Sequence, residues 1–144
     1  MANPLTYCTE NFTIKEFLRT STGFYNIPED DIIFENLKHI MSELQYCRSR
    51  IGVPIRVNSG YRSTAVNAAV GGSPTSMHLL GLAADVRCSR PLDTLKLLVT
   101  MLTSTDYHQI GIYYCPDGSI NRIHFSSYAD SNLNTEKSVY YHLA

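Results

Sequence analysis

Six apolar side chains, Ile33, Leu37, Ile40, Leu44, Cys47 and Ile51, recur at intervals of 4, 3, 4, 3 and 4 residues. That spacing places all six on one face of an α-helix. The helix is expected to run from just after Pro28 to Ile51. Acids at Glu29, Asp30 and Asp31 crowd its first turn, and Arg48 and Arg50 sit in its last, which complements the helix dipole. Gly52 ends it and Pro54 follows, as helix exits favour.

Upstream, Thr13 and Glu16 form a capping-box pattern that predicts a short helix over 12–19. Gly23, Asn26 and Pro28 then break the chain. Downstream the period changes. Ile55–Asn58 alternates as a short strand, 63–70 reads as a helix stopped by Gly71 and Gly72, and 73–81 reads as a loop. Residues 82–88 read as a strand, and Pro91 opens a helix that presents Leu92, Leu95, Val99 and Leu102 on one face. Residues 109–115 and 120–126 form a hairpin around Asp117-Gly118, a strong turn signal. The tail, 129–144, is polar and then ends in SVYYHLA, with no assigned element. The pattern is α+β: helices first, then a small antiparallel sheet with one helix inserted.

The chain has 144 residues, which suits one domain with a core of its own. Its 12 basic and 13 acidic residues give a net charge of −1, with no electrostatic footprint for nucleic acid or an anionic membrane. No apolar run is long enough to span a membrane. The N-terminus, MANPLTYCTENF, lacks a basic region followed by an apolar one, so no secretory signal is expected and the chain is placed in the cytoplasm as synthesised. Cys8, Cys47, Cys88 and Cys115 are widely spaced and are expected to be reduced thiols.

Three residues stand out for chemistry. Asp85 lies between Ala84 and Val86 in a strand that reads as buried, and an unpaired buried charge is costly. His78 sits in the Gly/Ser-rich loop seven residues before it, and His124 lies in the last strand of the hairpin. A zinc ion held by His78, Asp85 and His124 would satisfy the carboxylate. Two imidazoles and one carboxylate leave a position open for water, the catalytic rather than the structural zinc arrangement. The alternative is that Asp85 pairs with Arg62 or Arg87.

The string from Ser59 to Asp85, SGYRSTAVNAAVGGSPTSMHLLGLAAD, resembles the zinc D-alanyl-D-alanine carboxypeptidase family. That family carries an SGYRS…N…GGS…S-x-H-x-x-G-x-A-x-D signature, and the match here includes Ser59, Gly60, Tyr61, Arg62, Ser63, Asn67, Ser76, His78, Gly81 and Asp85. Phage- and prophage-encoded members are most similar, and IYYCPDGSINRIHFS is similar to a hairpin shared with the hedgehog signalling domain. The resemblance spans roughly residues 12–127. It implies a D,D-peptidase/hedgehog-like α+β fold, a zinc cofactor, and His78, Asp85 and His124 as the metal ligands. It also implies that Arg62 stabilises the oxyanion and that Ser76 lies near the substrate's terminal carboxylate.

The chain departs from the family where a catalytic acid is expected. Three residues before the last His stands Asn121, and after the Tyr pair stands Cys115. With Asp117-Gly118 as a two-residue turn, Cys115 would oppose Ile120, Tyr113 would oppose Arg122 and Gly111 would oppose His124. Tyr113, Cys115, Ile120, Arg122 and His124 would then share a face, and Asp117 at the tip would lean over the site as a candidate base. Its other role is plain turn chemistry. Cys115 would be a small core residue or a fourth ligand. Tyr113 and Arg122 would bind the substrate peptide or its carboxylate. The expected activity is zinc-dependent hydrolysis of D-alanyl bonds in bacterial cell-wall peptide, acting on the wall after release. The competing expectation is a zinc-binding homologue without a base that binds wall peptide or a protein.

Overall fold

The structure is a computed structural model and describes residues 3–144. The long helix, α1, spans Asp31–Ile51, and the Asp30 side chain accepts a hydrogen bond from the Ile32 amide at its start. Leu37, Ile40, Leu44 and Cys47 are fully buried, as their spacing requires. Each fully buried Leu or Ile stabilises the fold by about 1.5–3 kcal/mol. The N-terminal capping box forms as read, around a single 3-10 turn at Ile14–Phe17.

Five strands follow: β1 (Arg56–Ser59), β2 (Ala83–Arg87), β3 (Gln109–Tyr114), β4 (Ile120–Ser126) and β5 (Ser138–Leu143). The helices between them are α2 (Thr64–Ala69) and α3 (Pro91–Ser104). The sheet order is β1-β2-β4-β3-β5. All pairings are antiparallel except β3 with β5, which is parallel, so the sheet is mixed at one edge. The fold is α+β, with helices packed on one face. Ala84, Val86, Ile110, Ile112, Ile123 and Phe125 line that face and belong to one core with α1 and α3. Among the described residues, no helix is long and apolar enough to cross a membrane. All four cysteines are free.

The structure corrects the sequence reading at the hairpin turn and completes it at two other places. First, α3 does not bury Leu92, Leu95, Val99 and Leu102, which are exposed; it buries Thr94, Leu97, Leu98 and Met101. The helix is apolar on two sides, and the Thr94 hydroxyl, which accepts from the Cys88 amide at 3.0 Å, helps select the inner one. Second, the hairpin turn is longer than two residues. Cys115 N–H donates to the Ser119 carbonyl, Gly118 has φ +88°, and a bulge at Asn121 pairs Tyr114 with Ile120. Ile120 therefore joins the apolar face instead of the face of His124. Third, the unassigned tail forms β5. Its approach is pinned by the buried Asn134, whose side chain accepts from the Tyr128 amide and donates to the Tyr128 carbonyl.

Candidate metal centre and cleft

Alternation along the strands puts a second set of residues on the face away from the helices. Register then aligns one row across the sheet: Ser59 pairs with Asp85, Asp85 with His124, His124 with Gly111, and Gly111 with Tyr140. His78 comes from outside the sheet, in a 3-10 turn at Met77–Leu80 that is capped by Ser76. Its Nδ1 donates to the Gly60 carbonyl at 2.6 Å, which fixes the ring and leaves Nε2 as the free lone pair.

That Nε2 lies 3.3 Å from Asp85 Oδ1, and His124 Nδ1 lies 2.9 Å from the same oxygen. One potential ligand atom from each of the three residues falls within 4.8 Å of the others. The His78 Nε2 is buried and makes no hydrogen bond. A buried lone pair facing a carboxylate oxygen is unfavourable with nothing between them and fits a shared cation. Burial alone would raise the Asp85 carboxyl. The hydrogen bond from His124, first among the groups that favour the ionised form, outweighs that and holds it well below its ordinary value. The donor set of two imidazoles and one carboxylate suits zinc.

Arg62 forms the outer support of this cluster. Its Nη2 reaches Asp85 Oδ2 at 3.2 Å, its Nε donates to Ser59 Oγ at 3.0 Å, and its Nη1 donates to Asn67 Oδ1 at 3.4 Å. Three of its five N–H groups are thus used, and the ion pair to Asp85 considered from sequence is present.

The cluster opens into a cleft of about 360 Å³. Arg62, Ser76 and Tyr113 line it with the three cluster residues. Ser76 Oγ also accepts from the His78 amide at 3.2 Å, so it holds the ligand's turn as well as facing the cleft. Arg122 does not line the cleft; its guanidinium stacks on the Tyr113 ring, 4.0 Å from the centroid. Asp117 is not brought to it either. Its carboxylate is fully exposed and accepts from the Ser119 amide at 2.9 Å and the Ser119 hydroxyl at 2.6 Å. These hydrogen bonds lower its pKa. The longer turn and the bulge carry it away, which leaves it with turn chemistry. Cys115 is outside the cluster for the same reason. Among the described residues, Asp85 is the only carboxylate in the cleft wall.

Sequence reasoning missed Gln109 and Tyr140, which also line the cleft. Gln109 shares strand parity with Gly111 and Tyr113, a signal already in the hairpin assignment. Tyr140 required β5, and the alternation Val139, Tyr141, Leu143 was its only sequence trace.

Residues 9–124 match the peptidase M15 family, from the capping box to the last histidine of the cluster. No curated protein matches the sequence.

Proposed function

The chain belongs to the peptidase M15 family, the zinc D-Ala-D-Ala carboxypeptidase family, and on that premise we propose that it hydrolyses D-alanyl peptide bonds of bacterial cell-wall peptidoglycan. The wider reading, a phage or prophage product that reaches the wall on release, rests on the sequence resemblance. The observation that carries the activity is the convergence of His78, Asp85 and His124 on the floor of a cleft, with the His78 Nε2 buried and otherwise unpartnered.

His78, Asp85 and His124 would hold zinc, which supplies Lewis acidity to the attacking water and the scissile carbonyl. The remaining steps fall to the chain's own groups. The Gly60 carbonyl sets the His78 tautomer. Arg62 balances Asp85 and has two N–H donors left for substrate oxygen, where negative charge develops. Ser76 and Tyr113 stand on the walls as substrate contacts. That Asp85 is the only carboxylate of the wall among the described residues favours the competing reading, a zinc-holding module that binds wall peptide without cutting it.

Digestion of peptidoglycan peptides by zinc-loaded protein, read by mass spectrometry with zinc quantified on the same samples, separates the two. Loss of D-alanine or of a D-alanyl cross-link by the wild type, and not by His78→Ala, is expected. One zinc per chain with retention of peptide and no cleavage would establish the binding module instead.

A further inference from the structure

The row Asp85, His124, Gly111 has a gap in it, because Gly111 has no side chain, and β5 fills that gap. A Cβ placed on Gly111 would fall on the phenol ring of Tyr140, so the ring lies across the Gly111 backbone beside His124. The two rings sit 6.4 Å apart, tilted by 38°. Tyr140 is half-buried, lines the cleft with the cluster, and meets the Tyr113 hydroxyl at 3.2 Å. Tyr113 is in turn held from the other side by the Arg122 guanidinium. A glycine directly opposite a candidate metal ligand, in a strand that is otherwise well filled, is the condition for this placement. The residues that match the family stop at 124, so Tyr140 is supplied by a part of the chain beyond that match.

We propose that Tyr140 is a catalytic residue of this site, donating a hydrogen bond to the scissile carbonyl oxygen of the substrate as that oxygen gains negative charge. The inference rests on the peptidase reading above. Two phenols that face each other share one hydrogen bond and so use one of their two protons. An anionic oxygen beside His124 selects the arrangement in which Tyr113 donates to Tyr140 and Tyr140 donates to the substrate. A phenol is a neutral hydrogen-bond donor near neutral pH. Tyr140 therefore keeps its proton at working pH and acts as a donor. Arg62 approaches from the opposite side of the cluster, so the developing charge is held from two directions. No proton is transferred in this role, and the contact strengthens only as charge forms, which is the property that lowers a barrier.

The test compares Tyr140→Phe and Gly111→Ala with the wild type, all zinc-loaded, and uses a phosphinate analogue of acyl-D-Ala-D-Ala as a probe of the tetrahedral state. Tyr140→Phe is expected to lower kcat by about 10²-fold, with KM changed less than about threefold. Phosphinate affinity should fall by a similar factor, with one zinc per chain and an unchanged melting temperature. Gly111→Ala, which displaces the ring without removing the hydroxyl, should show the same pattern. Tyr141→Phe, on the other side of β5, should match the wild type. A wild type that cleaves and binds the phosphinate while Tyr140→Phe equals it in both overturns this inference alone. Zinc loss or a lower melting temperature in Tyr140→Phe, with kcat per loaded site unchanged, also overturns it, because the residue would then be structural. A wild type that neither cleaves nor binds the phosphinate overturns the peptidase reading and this inference with it.

Discussion

The two faces of the sheet use alternate residues of the same strands and end in different kinds of hollow. On one side lies the cleft of about 360 Å³, with three potential metal ligands and a guanidinium. On the other, between α3 and the β3–β5 edge, lies a groove of about 630 Å³ lined by residues such as Leu92, Leu95, Leu102, Ile112 and Val139. Among the described residues, the larger hollow is lined by no carboxylate, imidazole or basic group, so it offers nothing for metal binding or acid–base chemistry. Convergence of polar groups, not volume, marks the site. β5 serves both sides: Tyr140 lines the cleft, while Val139 and Tyr141 line the groove.

Adjacent residues on β4 give the sharpest test of this contrast. His124→Ala should lower cleavage by about 10³-fold or more through loss of zinc, measured by metal stoichiometry and peptide digestion. Ile123→Ala, one residue away on the core face, should cost about 2–5 kcal/mol of stability in urea denaturation. It should leave zinc content per folded chain intact. An equal loss of zinc in both variants would erase the distinction between the faces.

Smaller effects divide the cleft itself. Arg62→Ala removes the guanidinium from Asp85, and both side chains are 15% exposed. In zinc-free protein this should cost about 2 kcal/mol, less than for a fully buried pair. The loss should shrink when zinc is loaded, because the cation takes over as counter-charge; urea midpoints with and without chelator measure it. The same carboxylate sets an acid limit. Its folded value lies below its reference of 3.8, so its contribution is fully present above that pH and fades as the pH falls below it. The urea midpoint of the zinc-free wild type should therefore drop more steeply between about pH 4 and pH 2 than that of Asp85→Asn. The smallest effect is expected at the hairpin tip. Asp117→Ala should leave kcat/KM within about twofold, since the carboxylate is fully exposed and bonded to Ser119.

The structure agrees with the sequence most closely where a local pattern has one solution. The Ile33–Ile51 stripe specified a helix, and the capping box at Thr13 and Glu16 specified a turn. The pairings of Tyr113 with Arg122 and of Gly111 with His124 also follow from strand parity. Where two local solutions existed, pattern alone failed. α3 has apolar residues on two sides, and its packing against α1 and β4, with the Thr94–Cys88 hydrogen bond, decides that Leu97, Leu98 and Met101 go inward. The β3–β4 turn admits a two-residue loop or a longer one with a bulge, and the difference moves Asp117, Cys115 and Ile120 away from the metal side.

The sequence by itself determined the donor set: a histidine held in a glycine-flanked turn, an acid in an apolar strand, and a histidine at matching parity on a hairpin. These types and spacings carry the chemistry wherever the chain places them, because an acid inside an apolar strand must find partners. Only the tertiary structure decided what surrounds that set. The parallel pairing of β5 with β3 spans a separation of 29 residues between Gly111 and Tyr140, and no local period records such a contact. Register across four strands brought Tyr140 over Gly111, and a single bulge took Asp117 away. Both outcomes depend on pairings whose energies are shared over the whole sheet and cannot be assigned to any one stretch of chain.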